Sequence, residues 1–318
     1  MTTFTKFKMA AIQAAPVYFD LQASTDKACR LIAEAGEKGA NIAAFGETWL
    51  SGYPFIAWMQ PPADIAPKIV ADYLANAMEI PSAQSDQLCA AAKSANVDVV
   101  IGVAERDVVT RGTVYCTLLF ISNEGEILGR HRKLKPTERE RTVWGDGDAS
   151  GLQVYERAYG KISGLSCWEH NMLLPAYVLM SQGTQIHVAA WPGTSTSRHG
   201  LLSATFASQG AAYVLDVGGL LSKDALPPLY QSLERQMPGE SAIYDPFGEL
   251  LAGPATGECI LIAEGSTETI FAAKTECDVG GHYSRPDIFQ LAVNRKATQR
   301  VVDAGTGEDM TRPPAKFN

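Results

Sequence analysis

Long apolar runs are missing from this sequence. The longest, Met172–Met180, falls well short of the roughly 20 residues that a membrane-crossing helix needs, so no membrane span is expected. The opening MTTFTKFKMA has no apolar signal-peptide core before its first strand pattern. Basic clusters are also scarce: none is longer than RHRKLK, and 27 Lys and Arg against 35 Asp and Glu leave a formal charge of -8. That balance argues against a nucleic acid or a membrane surface as partner and favours a small molecule. The six cysteines, at 29, 89, 116, 167, 259 and 277, include no C-x-x-C pair, and no H-x-x-x-H or Cys/His spacing supports a metal site. Such cysteine usage suits a cytoplasmic protein whose thiols are mostly small buried hydrophobes. GLSC is not a G-x-S-x-G elbow, which removes the usual serine-hydrolase arrangement. No internal repeat or low-complexity block is present.

What is there is ample core material, with 46% of the 318 residues hydrophobic. FKMAAIQAAPV reads as a strand stopped by Pro16, and the apolar positions from Leu21 to Gly39 recur at helical spacing. NIAAFGE is a second short strand, ending in Gly46-Glu47 and followed by the turn-rich TWLSGYPFIAWMQPP. A helix is expected over Ser82–Ser94, strands at VDVVIGVAE and YCTLLFI, and a hairpin through SNEG into EILGRHRK, which sets Lys133 at a strand's end. Lys161–Ser166 is a strand running into Cys167, and Pro175 is expected to open a helix. QIHVAAWPG and AAYVLDVGG repeat the strand-then-glycine theme, and SAIYDPFGELLAG with CILIAEG reads as a late hairpin with a partner strand. Gly218–Ser241 lacks periodicity and reads as loop and irregular helix. The mixture implies an α/β fold with more than simple parallel winding. After about Asn294 the chain turns polar, a tail that is disordered or used in assembly.

Three strand ends thus offer a carboxylate, Glu47, an ammonium, Lys133, and a thiol, Cys167. A thiol with a pKa of about 8.5 is mostly protonated at neutral pH and needs a base or a neighbouring cation to become a nucleophile. Glu47 suits the first role and Lys133 the second. Charge developing on the attacked group would be held by the lysine and by a backbone N–H just beyond the cysteine. Each residue alone has a blander reading. A lone cysteine is more often a packed thiol, as Cys29, Cys89 and Cys116 are expected to be, and an isolated Glu or Lys is more often a solvated rim residue. His170 and His187 read either as satisfied core histidines or as groups beside the site. Trp49, Trp58, Trp144, Trp168 and Trp191 lie close in sequence to these strand ends, as core packing or as the walls of an aromatic pocket.

The segments FGETWLSGYP, HRKLKPTERERTVWGDGD and CWEHNMLLPAY, with GHYSRPDIFQL near the C-terminus, resemble the ordered signature blocks of the carbon–nitrogen hydrolase superfamily, specifically its nitrilase branch. The resemblance runs from about Phe7 to Asn294. It implies a four-layer α-β-β-α sandwich, one domain over 1–294 with the tail at 295–318, and homodimers that build spiral or helical homo-oligomers. It also implies Cys167 as nucleophile, Glu47 as general base, Lys133 as stabiliser of the tetrahedral intermediate, and Glu140, rather than Glu138, as a second glutamate orienting the lysine and substrate. Trp168 after the cysteine is what nitrilases and cyanide-degrading relatives carry, and FGETW is similar to nitrilases acting on arylacetonitriles. Gly46 and Ser51 depart from the residues usual at their positions, which affects loop stiffness more than chemistry.

The expected reaction is therefore hydrolysis of an organic nitrile to the carboxylic acid and ammonia through a cysteine thioimidate and thioester, with no metal or organic cofactor. Tyr53, Trp168, Trp191 and His170 are expected to contact the substrate. Three alternatives stay open: an amidase or cyanide dihydratase using the same triad, a non-catalytic filament or interaction protein of the same fold, and an unrelated α/β ligand-binding protein with a reactive thiol.

Overall fold

The computed structural model describes residues 4–58, 63–193, 198–231 and 236–311. Fourteen strands carry the fold: β1 (Lys6–Gln13), β2 (Ile42–Phe45), β3 (Asp98–Arg106), β4 (Val114–Ile121), β5 (Ile127–Arg132), β6 (Tyr155–Arg157), β7 (Gly160–Ser166), β8 (Ile186–Trp191), β9 (Tyr213–Gly218), β10 (Leu220–Leu221), β11 (Met237–Pro238), β12 (Ala242–Tyr244), β13 (Leu250–Ala252) and β14 (Cys259–Ser266). Six helices accompany them: α1 (Leu21–Glu37), α2 (Ala66–Ala75), α3 (Ala83–Ala95), α4 (Leu173–Ser181), α5 (Arg198–Gly210) and α6 (Thr267–Glu276).

Twelve of the strands make two sheets, ordered β14-β1-β2-β3-β4-β5 and β13-β12-β9-β8-β7-β6, while β10 and β11 form a separate ribbon. Both sheets are built alike. In the first, β1, β2 and β3 are parallel, with α1 crossing from β1 to β2 and α2 and α3 lying between β2 and β3. In the second, β7, β8 and β9 are parallel, with α4 and α5 as the crossovers. Antiparallel strands flank each parallel core: β14, β4 and β5 in one, β6, β12 and β13 in the other. This is the four-layer α-β-β-α sandwich.

Period-two alternation decides what goes where. On β1, Phe7, Met9 and Ala11 face the second sheet, joining Ile42, Val100, Leu118, Ile186, Val188 and Leu215 between the sheets. Ala10 and Ile12 face outward and pack with Phe45, Ile101 and Leu119 against Ala28, Ile32 and Leu88 of α1 and α3. Ala189, Val214, Leu179 and Phe206 do the same on the other side. Each large aliphatic side chain buried this way contributes about 1.5–3 kcal/mol. The helices are capped as their sequences suggest: Asp20 accepts from the Ala23 N–H at 2.9 Å, and Ser82 forms a reciprocal box with Ser85.

Several expectations need correcting. CILIAEG does not extend the late hairpin. As β14 it crosses to the other sheet and pairs antiparallel with β1, Cys259 opposite Gln13 and Ser266 opposite Lys6. Helix α4 begins two residues before Pro175, which still sits in its first turn, where no N–H is required. Helices α2, α5 and α6 had no expectation attached to them, because their polar and small residues blur the apolar period. Gly218–Ser241 contains the β10/β11 ribbon and short 3-10 turns at Lys223–Ala225 and Pro228–Tyr230. Beyond Asn294, Arg300 reaches back to Asp107 at 3.0 Å and to the Tyr115 hydroxyl at 2.7 Å, and the Thr298 N–H to Asp148 at 2.7 Å; residues 312–318 lie outside the described residues.

One close approach sets the geometry at the strand ends. A Cβ on Gly102 of β3 would stand 2.2 Å from the Gly46 carbonyl oxygen and 2.4 Å from the Thr48 nitrogen, so only glycine lets the chain after β2 lie against β3. We expect Gly102→Ala to lower unfolding stability by about 1–3 kcal/mol, read by urea denaturation. An unchanged midpoint would show that the Gly46–Thr48 segment can move aside freely.

Candidate active site

Parallel strands bring their carboxyl ends to one edge of a sheet, where side chains just beyond the last residue are exposed to a common crevice. Glu47 follows β2, Cys167 follows β7, and Lys133 follows β5, which runs the same way as β3 after two antiparallel steps. The two sheets meet at this edge, where the Glu47 N–H donates at 3.2 Å to the carbonyl of Trp191, the last residue of β8. All three expected residues converge, and Glu140 joins them. The nearest available atoms of Glu47, Glu140 and Cys167 all lie within 4.8 Å of one another. All four side chains are buried, none more than 2% exposed.

The Lys133 ammonium bridges the two carboxylates, 2.7 Å from Glu47 Oε1 and 2.7 Å from Glu140 Oε2. It fills the position a metal ion would take between them, so the cation of this cluster is the protein's own. Glu140 is held as the third residue of a capping box: its Oε2 accepts from the Thr137 N–H at 2.7 Å, and its Oε1 from the Tyr53 hydroxyl at 2.7 Å. Glu138, two residues earlier, is exposed. Trp144 closes the cluster from the side, its ring 5.4 Å from Lys133 Nζ and edge-on to Tyr53.

Glu47 is asymmetric. Oε1 accepts from Lys133 and also from the Cys116 thiol at 3.4 Å, whereas the equally buried Oε2 receives no hydrogen bond. Oε2 is therefore the basic atom left free. Burial pushes the Glu47 carboxyl up to about 7, opposed by Lys133 and reinforced by the charge of Glu140. Burial also pushes the Cys167 thiol well above its ordinary range, with Glu47 adding to this and Lys133 opposing it. For Lys133, burial alone would favour the neutral amine, but Cys167, Glu47 and Glu140 outweigh it and hold the ammonium well above the usual lysine range.

Cys167 opens a five-residue 3-10 turn and sits at φ 54°, a left-handed conformation that is strained for a residue with a Cβ. Thr48, Ser51 and Glu138, beside the other groups, share this region at φ 43°, 92° and 47°. The Cys167 turn is anchored by Glu169, a residue not singled out from the sequence. Its carboxylate accepts from the Ser166 N–H at 2.8 Å, the Leu134 N–H at 2.8 Å and His131 Nε2 at 3.0 Å. One buried anion thus ties the backbone just before Cys167 to the backbone just after Lys133. Its signal was readable as the capping-box spacing Ser166-x-x-Glu169. Cys116, expected to be an inert packed thiol, is buried, but it packs against the carboxylate of Glu47.

The residues expected to contact substrate divide. Tyr53 and the half-buried Trp168 border the cluster. Trp191 is 2% exposed, donates to Ser203 at 3.3 Å and stacks on His170. His170 does not face the cluster with a free nitrogen, because Nδ1 is 2.8 Å from the Cys167 carbonyl and Nε2 is 3.1 Å from His187. Trp49 is core, its indole N–H on the Ala14 carbonyl at 2.7 Å, and the side chain of Trp58 lies outside the described residues.

A thiol, two carboxylates and an ammonium at the facing edges of a four-layer sandwich are the equipment of a thiol-dependent hydrolase. Residues 8–275 match the sequence model of the carbon-nitrogen hydrolase family, and the chain belongs to that family. It is 53% identical over 309 residues to "Nitrilase 2" of an unknown prokaryotic organism, covering 95% of this chain and 97% of that protein. An arylacetonitrilase of Aspergillus oryzae is 37% identical, with 91% of each chain covered. An aliphatic nitrilase of Rhodococcus rhodochrous is 35% identical, covering 93% of this chain and 84% of that one. Among solved structures, a Saccharomyces cerevisiae member of branch 10 of the nitrilase superfamily has a TM-score of 0.71 over 87% of this chain and 96% of its own at 19% identity. The C. elegans NitFhit protein reaches 0.74 over 94% and 70% at 17% identity. At those identities the likeness is one of fold.

Glu169 makes a prediction about acid stability. His131 and the two backbone donors outweigh burial and hold its carboxyl below the ordinary range. A depressed folded pKa contributes stability that is fully present above the unfolded value, about 4.3, and is lost as pH falls through the folded value. Glu169→Gln should therefore be less stable than the parent at pH 7 by about 1–3 kcal/mol. The gap should narrow steadily below about pH 5. Urea titrations at several pH values test this, and a gap independent of pH would refute the ionised role.

Proposed function

We propose that this protein is a nitrilase, converting R–C≡N and two waters to R–COOH and NH3, with Cys167 as nucleophile, Glu47 as general base, Lys133 as electrostatic stabiliser and Glu140 as the group that orients the lysine. The observation that carries the reading is the Lys133 ammonium held between two buried carboxylates beside a buried thiol. Nitrilase-named relatives that match nearly the whole chain support it from the sequence side.

The electrostatics suggest how the steps run. Because burial keeps the Cys167 thiol protonated at rest, its proton must leave as the sulfur attacks. The free Glu47 Oε2 is placed to receive it, and a base with a pKa near the working pH does this best. The sulfur adds to the nitrile carbon, the nitrogen takes a proton, and a thioimidate results. Water, giving its proton to Glu47, then adds to the same carbon. The tetrahedral adduct expels ammonia to leave a thioester, and a second water releases the acid and restores the thiol. Lys133 and the Trp168 N–H would hold the charge of each adduct. Loss of the thiolate before ammonia would give the amide instead. Tyr53, Trp144 and Trp168 are the walls proposed for the substrate's R group.

The same reading makes the protein a cytoplasmic homo-oligomer. Supporting this, all six cysteines are unpaired, and the outer face of α4 and α5 exposes Leu173 (77%), Leu174 (61%) and Leu201 (66%). Among the described residues no helix is long and apolar enough to cross a membrane.

Ammonia and acid release from phenylacetonitrile, benzonitrile, an aliphatic dinitrile, cyanide and simple amides tests the reaction. Acid from an organic nitrile is expected, and it should vanish in Cys167→Ala. Turnover of amides or cyanide alone would move the protein to another branch of the family. Lys133→Met should cost at least about 100-fold in kcat, and retention of most activity would overturn its role. With Glu47 titrating at about 7, kcat/KM should rise through neutral pH as the base deprotonates. A profile flat from pH 5 to 8 would remove Glu47 as base.

A further inference from the structure

Behind the nucleophile lies a buried chain of polar groups that the reaction steps leave unused. His170 Nδ1 is 2.8 Å from the Cys167 carbonyl oxygen, and a carbonyl only accepts, so this nitrogen carries a proton. His170 Nε2 is 3.1 Å from His187 Nε2, an approach that needs one donor and one acceptor. Burial lowers both rings, His170 to about 4 and His187 well below the usual range, which leaves both neutral at neutral pH. A neutral His170 with its proton on Nδ1 has a bare Nε2, so His187 donates from Nε2. Its own Nδ1 then accepts from the Ser163 hydroxyl at 2.8 Å, and Ser163 in turn accepts from Thr184 at 2.5 Å. Every proton in the chain is fixed, and every bond points toward the Cys167 carbonyl.

That carbonyl belongs to the Cys167–Trp168 peptide, which is planar and trans, so its C=O and N–H point in opposite directions. Holding the oxygen on His170 turns the Trp168 N–H the other way, where this donor counters the upward push of burial on the Cys167 thiol. The turn needs such an anchor because Cys167 is in the strained left-handed region. The rings cannot easily swing out of place: His170 stacks on Trp191 at 5.1 Å and His187 on Phe206 at 3.7 Å. A peptide whose carbonyl accepts a hydrogen bond is polarised by it and is a stronger donor at its N–H.

We infer that His170, oriented by His187, is a positioning residue that aims the Trp168 N–H at the charge developing when Cys167 adds to the substrate carbon. The inference rests on the nucleophilic role proposed for Cys167.

The test compares two reactions of the same thiol. The aldehyde matching the best nitrile of the panel, phenylacetaldehyde for phenylacetonitrile, adds reversibly to Cys167: the S–H proton passes to Glu47, a C–S bond forms, and the C=O π pair goes to the oxygen, so binding reads the aimed N–H. Alkylation by iodoacetamide displaces iodide and builds no such oxyanion. In His170→Phe, which keeps a ring against Trp191, aldehyde affinity and kcat/KM should each fall about tenfold or more while the alkylation rate of Cys167 changes less than about twofold. His170→Asn, whose amide nitrogen stands near the place of Nδ1, should recover most of the loss, and His187→Leu should show a milder version of it. Unchanged aldehyde affinity in His170→Phe would overturn the inference. So would a parallel fall in alkylation, which would mean general damage to the turn. Cys167→Ala separates the two readings: if it kept nitrile turnover the nucleophile itself would be misassigned, whereas loss of turnover in Cys167→Ala with normal aldehyde binding in His170→Phe would remove only the aiming role.

Discussion

The site depends on one buried cation. Taking an ammonium and two carboxylates out of water costs several kcal/mol per group, and this is tolerable only because Lys133 reaches both Glu47 and Glu140 at 2.7 Å. The surroundings are consistent with that demand. Gly102 lets the Glu47 segment close in, the Thr137 N–H shares the Oε2 of Glu140 with Lys133 while the Tyr53 hydroxyl takes its Oε1, and Glu169 locks the backbone after Lys133 to the backbone before Cys167. Of the four carboxylate oxygens of Glu47 and Glu140, only the Oε2 of Glu47 receives no hydrogen bond, so the cluster leaves one carboxylate oxygen open beside the thiol.

The repeated sheet architecture explains why these groups can meet. Each sheet has the same core of three parallel strands joined by helical crossovers, and the two are placed so that their carboxyl-terminal edges adjoin. One sheet contributes a carboxylate and the ammonium from the ends of β2 and β5, and the other contributes the thiol from the end of β7. A single sheet would offer such side chains along one row. Two opposed sheets bring them together from both sides of a crevice, closed at its rim by Tyr53, Trp144 and the other residues of an aromatic cluster over the strand ends.

Much of this was legible in the chain. Short apolar runs ending in Glu47, Lys133 and Cys167 are what parallel and hairpin strands require, and in each case the polar group does lie just past the last strand residue. Glu140 could be chosen over Glu138 only by resemblance, although the Thr137-x-x-Glu140 spacing holds the physical reason. Other features were hidden because they depend on pairing across the fold. Nothing local to Cys116 distinguishes it from Cys89; what matters is that β4 sets it beside Glu47. The partner of β14 lies some 250 residues upstream, so CILIAEG looked like part of the hairpin it follows. His170 next to Cys167 invites a role facing the substrate, and only the location of His187 shows that the ring turns the other way.

The pairing of β14 with β1 also bears on how the chain is made. Strand β1 ends at Gln13 and its outer partner at Ser266, so a ribosome must add nearly the whole domain before that edge of the first sheet can close. Until then β1 presents unpaired N–H and C=O groups along a strand whose neighbours are largely apolar, the kind of edge that recruits other chains. The four strands β2 to β5 can assemble early, since they follow one another in sequence, but the seam between the first strand and the last must wait. A nascent chain of this protein therefore carries the uncovered edge of β1 through most of its synthesis, until β14 emerges to cover it.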